Sequence, residues 1–257
     1  MPVSLITWRL LVGRFNGSKP SYHKCFKSYI PIGNNHCPLL FFFMILLLLC
    51  CDVHPNPGPI RDKDYNFSVS CWNIGSILAH NFSKLSLLSS YNSIYNYDLI
   101  CLTETFLDSS FLPDDPRLSL EGYNLIRSNH PNDVKRGGVC VYVKNYLAIR
   151  VCNISNLNEC IIIELNLKNK KGYVISLYRS PSQSIEEFEE FLFNLDQTLH
   201  DISSLNPSFV MLLLGDFNAK SSSWYSQDIT SSEGFRIESL TSFYSFTQLI
   251  SIPTHIL

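Results

Sequence analysis

Between Phe67 and Asn218 the chain is cut into short apolar runs, and several of them close on a polar residue of the same chemical kind. The runs are "FSVSCWN" (67–73), "DLICLTE" (98–104), then "GGVCVYVKN", "LAIRVC", "ECIIIELNL" and "GYVISLYR" between 137 and 179, and finally "FVMLLLGDFN" (209–218). Each has the length and the β-branched and aromatic content of a strand, and turn residues such as "KNKKG" separate them. Two helices are interleaved with these strands. One is predicted across "NFSKLSLLSSYNSIYN" (81–96) and the other across "SIEEFEEFLFNLDQTLHDI" (184–202). In the second, Ser184 and Glu187 have capping-box spacing, and Ile185, Phe188, Leu192, Leu195 and Leu199 fall on one face. Its acidic run belongs to a solvated face that complements the helix dipole. A third helix is predicted around Phe235 to Phe243. Strands alternating with helices place the chain in the α/β (α+β) class.

Strand ends are where chemistry can gather. A strand alternates its side chains across two faces, so Asp216 and Asn218 point the same way while Phe217 turns back into apolar packing. Gly215, Asp216 and Asn218 are also ordinary turn residues, and a turn is the competing reading of that stretch alone. The other runs end on Asn73, on Glu104 and on Tyr178 with Arg179. Taken singly these have bland explanations: a strand-end turn, a helix cap, a half-buried aromatic. Together they are a set of oxygen-bearing side chains that one sheet end can bring to a point, and such a set suits a hard cation such as Mg²⁺.

Composition narrows the classes. The chain is 257 residues, 46% hydrophobic and 16% charged, which is globular rather than disordered. Its net charge of −2 is unevenly spread. Residues 1–58 hold five basic side chains and one acid, hence +4; residues 59–257 hold fifteen basic and twenty-one acidic, hence −6. An acidic domain does not hold nucleic acid through a general positive field, so affinity for phosphate must come from local cations or a bound metal. The nine cysteines lie in apolar stretches with no CxxC pair, which points to reduced, buried thiols in an intracellular protein.

The N-terminal part has a different texture. Residues 1–37 show little periodicity and carry no assigned fold; residues 38–59 hold an apolar stretch and a Pro-rich boundary; residues 60–257 form the strand-rich domain. Leu39 to Cys51 are thirteen apolar residues without a break, short of the roughly 20 a membrane span needs, so a membrane partner is not expected. "CDVHPNPGP" (51–59) resembles the 2A-like ribosome-skipping peptides, with His54 where that pattern carries glutamate. The resemblance implies chain separation between Gly58 and Pro59. A Pro-rich linker is the other reading, and both place a boundary near residue 59.

The strand-rich domain resembles a known family. "SCWNIGS", "YDLICLTETFL", "RGGVCVYVKN", "LYRSPS" and "LLLGDFNA" come in the order and spacing of the endonuclease/exonuclease/phosphatase superfamily, and are most similar to the endonuclease domain of non-LTR retrotransposons. "TQLISIPTHIL" resembles a segment those domains carry late in their sequence. The resemblance implies a two-sheet β-sandwich flanked by helices and Mg²⁺- or Mn²⁺-dependent hydrolysis of phosphodiesters in a DNA substrate. It further implies that Glu104 is the main metal carboxylate with Asn73 beside it, and that Asp216 positions or activates the attacking water. Asn218 would contact the scissile phosphate, Tyr178 would support it, and Arg179 and Thr254 would be further phosphate contacts. A nuclear location follows for an enzyme acting on chromosomal DNA, and nothing in the sequence marks an obligate protein partner.

One departure accompanies these matches. The family's terminal Ser-Asp-His motif, with its acid/base histidine, is not found before Leu257. His255 belongs to the earlier segment, and His80, His130 and His200 are expected in loops or on a helix surface. The expectations are therefore weakened or absent nicking, the last strands of the sandwich missing, and a raw sheet edge. Two alternatives stay open: a phosphatase or sphingomyelinase of the same fold, and a non-catalytic nucleic-acid-binding remnant.

Overall fold

The computed structural model describes residues 10–13, 67–79, 81–167, 170–205, 209–224 and 229–249. The apolar run from Leu39 to Cys51, the 2A-like stretch, His80, Thr254 and His255 lie outside the described residues. The chain divides into two units, Met1–Asn16 with Ser68–Leu257, and Gly17–Phe67. Every described helix and strand belongs to the first.

In chain order the elements are β1 (Leu10–Gly13), β2 (Val69–Asn73), α1 (Ser83–Tyr95), β3 (Leu99–Thr103), β4 (Tyr123–Ser128), β5 (Val139–Lys144) and β6 (Ile149–Val151). Then come β7 (Cys160–Leu167), β8 (Lys170–Tyr178), α2 (Ile185–Leu205), β9 (Phe209–Asp216), α3 (Ser232–Phe243) and β10 (Phe246–Gln248). They form a six-stranded sheet, β10-β1-β9-β8-β7-β6, and a four-stranded sheet, β2-β3-β5-β4. Each sheet contains one parallel pair, β8 with β9 and β2 with β3, and the other pairings are antiparallel.

The apolar pattern explains the layering. All five residues of β3 are buried because both of its faces are covered. Ile100 and Leu102 join Trp72, Cys140 and Tyr142 in a core with Leu85 and Leu88 of α1. On the larger sheet, Ile162, Tyr173, Ile175, Leu177, Met211 and Leu213 form a second core, closed by the apolar face of α2 and by Ile237 of α3. The residues of opposite parity, among them Cys71, Leu99, Cys101, Val141, Val174, Ser176 and Leu214, fill the space between the sheets and are all buried. A two-sheet α/β sandwich flanked by helices results, as the sequence predicts.

Local signals act as expected at the helix ends. The Ser184 N–H donates to Glu187 Oε2 at 2.7 Å and the Glu187 N–H to Ser184 Oγ at 3.2 Å, which is a complete capping box at the start of α2. Ser231 caps α3 by accepting from the Gly234 N–H at 3.0 Å. The five described cysteines are free, and four of them are buried. Burial pushes the Cys101 thiol up to about 12. Among the described residues no helix is long and apolar enough to cross a membrane.

Two features differ from the sequence reading. Strand β4 was not expected, because it lies at the edge of its sheet, and beyond Tyr123 its residues are half-buried or exposed without a clean alternation. The edge of β9 away from β8 is not raw: β1 pairs along it antiparallel from Leu10↔Leu214 to Gly13↔Met211, and β10 pairs with β1. The unsatisfied backbone groups of β9 are thus met by a strand from before the strand-rich domain.

Candidate active site

Two parallel pairs decide where the polar strand ends go. Parallel strands finish at the same end, so β2 and β3 bring Asn73 opposite Thr103, and β8 and β9 bring Tyr178 opposite Asp216. A side-chain hydrogen bond joins the sheets there. Asn73 Nδ2 donates to Asp216 Oδ2 at 2.9 Å, across 143 residues of sequence. The antiparallel neighbours start at this end: Gly137 and Gly138 lead into β5 beside β3, and Glu159 leads into β7 beside β8.

Each side chain is held by its own local structure. Asn73 Oδ1 accepts the Gly75 N–H at 3.0 Å, which orients the amide so that its nitrogen faces Asp216. Asp216, 5% exposed, accepts the Asn218 N–H at its other oxygen at 2.9 Å. Asn218 adopts φ +45°, and its Nδ2 donates to the Arg179 carbonyl at 2.7 Å. The left-handed turn after β9 therefore keeps Asp216 and Asn218 on one side. Glu104 follows β3 at φ +55°, and Phe106 repeats the left-handed conformation at φ +57°. Two such residues within three positions are costly for L-amino acids and are tolerated only where neighbours fix them. The Glu104 carbonyl accepts the Ser76 N–H at 2.7 Å, tying this turn to the one after β2.

Tyr178 sits among carboxylates. Glu104, Asp216 and Glu159 lie close enough for their charges to act on its hydroxyl. Burial first, then these neighbouring carboxylates, hold the hydroxyl well above the ordinary phenol range, so it stays a neutral donor. A cleft of about 310 Å³ opens beside Tyr178 and Glu159, and Arg136, Asn156, Asn158 and Gln183 line it.

Asn73, Glu104, Tyr178, Asp216 and Asn218 are thus gathered at one end of the sandwich. Arg179 is placed differently from the phosphate contact expected. It is 4% exposed, and its guanidinium donates to the carbonyls of Phe217 at 2.5 Å, Asn218 at 2.6 Å and Ser180 at 3.2 Å. The side chain braces the backbone that carries Asp216 and Asn218, because burial makes a guanidinium seek as many carbonyls as it can reach. His130 lies half-buried in a loop, and burial, with Arg136 beside it, keeps its pKa low; His200 is exposed on α2.

Sequence reasoning missed two participants. Lys84 of α1 donates from Nζ to the carbonyls of Ile74 at 2.6 Å and Gly75 at 2.5 Å, fixing the turn after β2. Burial pulls its pKa down while the charge of Glu104 acts in the opposite sense. Glu159 is 6% exposed and accepts the Gly138 N–H; its only sequence signal is an acid abutting the apolar run "CIII".

The donor set can be tested against a divalent cation. Mg²⁺ is usually held by one or two carboxylates, with water and substrate phosphate completing its shell. Among the described residues no group of three or more His, Cys, Asp or Glu could cage a metal. Glu104, half-buried just after β3, and the Asn73 amide oxygen at the end of the adjacent β2 are an oxygen-only set of the sparse kind that Mg²⁺ accepts.

Comparison with known proteins agrees with the fold. The family model described as "Endonuclease/Exonuclease/phosphatase family" matches residues 71–250. Among solved structures, the AP endonuclease LMAP from Leishmania major is 14% identical with a TM-score of 0.52, over 72% of this chain and 69% of that one. An AP endonuclease from Archaeoglobus fulgidus is 16% identical with a TM-score of 0.49, over 69% and 70%. The endonuclease domain of TRAS1, a telomere-specific non-LTR retrotransposon, is 13% identical with a TM-score of 0.48, over 62% of this chain and 64% of its own length. No curated protein matches the sequence.

Proposed function

We propose, because this chain belongs to the endonuclease/exonuclease/phosphatase family, that it hydrolyses phosphodiester bonds of DNA as the nicking endonuclease of a non-LTR retrotransposon, making a primer end for insertion. The observation that carries the reading is the Asn73–Asp216 hydrogen bond across the two sheets, at the end where Glu104, Tyr178 and Asn218 gather. The retrotransposon assignment rests on the five motifs and their order, and a nuclear location would follow from it.

The residues divide the work by chemistry. Asp216 is an acceptor held at both oxygens by fixed donors, so it orients an attacking water and receives its proton as the new P–O bond forms and the ester P–O bond breaks, the leaving oxygen taking its proton from solvent. Asn218, with one Nδ2 hydrogen spent on the Arg179 carbonyl, has a second for a phosphoryl oxygen. Tyr178, neutral by its surroundings, offers an O–H where charge accumulates on the phosphate. Glu104 and Asn73 would hold Mg²⁺ or Mn²⁺, which when bound supplies charge neutralisation on the phosphoryl oxygens. The −6 charge of residues 59–257 makes that neutralisation necessary, since the domain has no positive field of its own to offer a polyanion.

Conversion of supercoiled plasmid to relaxed circles tests this. Nicking that needs Mg²⁺ and falls by about 10²-fold or more in Glu104→Ala is expected. Nicking unchanged in Glu104→Ala, or hydrolysis confined to small phosphoesters, would overturn it.

A further inference from the structure

Glu159 is a buried carboxylate that the proposed chemistry does not use. It stands immediately before β7 in the left-handed conformation, φ +49°, and is 6% exposed. Its Oε1 accepts the Gly138 N–H, and its backbone carbonyl accepts the Tyr178 N–H at 3.0 Å. Glu159 thus touches both residues. A Cβ on Gly137, itself at φ +57°, would lie 2.0 Å from Glu159 Oε1 and 3.2 Å from Tyr178 Cε1, so glycine is required for the carboxylate to come this close.

The other side of that turn leads to Glu104. The Gly138 carbonyl accepts the Thr105 N–H at 3.3 Å and the Gly137 carbonyl accepts the Phe106 N–H at 2.9 Å. Thr105 and Phe106 belong to the strained turn that carries Glu104, where left-handed backbone needs outside support. A continuous path of hydrogen bonds thus runs from Glu159 through Gly137 and Gly138 to the segment bearing Glu104, and a second runs directly from Glu159 to Tyr178. Burial raises the Glu159 carboxyl above its ordinary range, while the Gly138 N–H and Arg136 pull it back, as expected of an acceptor held inside the fold rather than a solvated charge.

We infer that Glu159 is a positioning residue: by fixing the Gly137–Gly138 turn with its carboxylate and Tyr178 with its carbonyl, it holds the segment bearing Glu104 and the end of β8 bearing Tyr178 in place relative to one another. The catalytic consequence rests on the nuclease reading above, but the structural part does not. It makes Glu159 necessary without any contact to substrate.

Amide hydrogen exchange on the whole chain separates the two. In Glu159→Ala and in Glu159→Asp, whose shorter side chain withdraws from Gly138, the Thr105 and Phe106 amides should exchange about tenfold faster or more, while the amides of α2 keep their protection. Glu159→Gln, which retains an acceptor oxygen at the same reach, should stay within about twofold of the original chain. In nicking assays the Ala and Asp forms should lose kcat about tenfold with KM for DNA little changed, and Gln should restore it. Wild-type exchange at Thr105 and Phe106 in folded Ala and Asp variants would overturn the inference. So would acceleration spread evenly over the molecule, or a Gln variant as impaired as Ala. An unmutated chain that does not nick would refute the proposed function, and the exchange rates would still decide on Glu159.

Discussion

At the scale of single residues, Tyr178 is a side chain of the site whose protonation its surroundings constrain. Desolvation is the first cause, with Glu104, Asp216 and Glu159 adding to it, and all raise the cost of a phenolate. A raised pKa means the proton is retained as pH climbs past the ordinary phenol value of about 10. Tyr178→Phe should therefore lower the single-turnover nicking rate by about 10- to 100-fold, the worth of one well-placed donor, and leave the shape of the rate–pH profile between neutrality and pH 10 unaltered. An alkaline limb present in the original chain and missing in the Phe variant would contradict this. The site was legible in sequence where a residue ends a strand, because parallel pairing turns "end of an apolar run" into "same end of the sheet" for Asn73, Tyr178 and Asp216. Glu159, Lys84 and the bracing role of Arg179 were not legible. Their partners are backbone groups such as Gly138 N–H, Ile74 C=O and Phe217 C=O, and no spacing in the sequence marks which carbonyl a side chain will reach.

At the scale of elements, the parallel pair β8 and β9 carries the site, and one position sets how closely they approach. Gly215 faces Leu177 in the register and adopts φ +136°; a Cβ there would fall 1.8 Å from the Leu177 carbonyl oxygen. Backbone cannot step aside as a flexible side chain can. Gly215→Ala should thus force the strands apart just before Tyr178 and Asp216, costing about 3 kcal/mol or more of unfolding free energy. Denaturant titration gives the number, and a change smaller than about 0.5 kcal/mol would show that the strands accommodate the methyl. The same pair shows what periodicity reveals about elements. Strands β2, β3, β5, β7, β8 and β9 are apolar runs because the sandwich or its helices bury them on both faces, and α2 announces itself by a capping box and an apolar face. Edge strands escape: β4 is only partly covered, and β1 gains its place from pairing with the distant β9.

At the scale of the whole molecule, charge is arranged so that acids near the site lie inside while compensation sits on the far strands. Across β6, β7 and β8 the outer face carries Arg150, Glu164 and Tyr173 in register, and Lys171 joins them. Glu164 is 7% exposed; Lys171 reaches Oε1 at 2.5 Å, Arg150 pairs with Oε2, and the Tyr173 hydroxyl donates to Oε2 at 3.3 Å. Hydrogen bonds from Lys171 and then Arg150 hold the carboxyl down at about 2, against an ordinary value of 4.5. A carboxyl whose pKa is depressed in the fold stabilises the folded state above its unfolded pKa, and that contribution fades as pH falls through the folded value. The row should then favour folding at full strength above about pH 5 and lose its effect between about pH 4.5 and pH 2. Glu164→Gln separates this row from the other carboxylates that titrate in the same range. Its thermal midpoint should lie below that of the original chain by a constant margin from pH 8 to pH 5, and the two curves should converge as pH drops towards 2. Because Arg150 and Lys171 keep 66% and 40% of their side-chain surface exposed, high salt should narrow the margin at neutral pH as well. Parallel curves down to pH 2 would mean that packing around the side chain, and not the paired charge, ties the outer strands of the large sheet together.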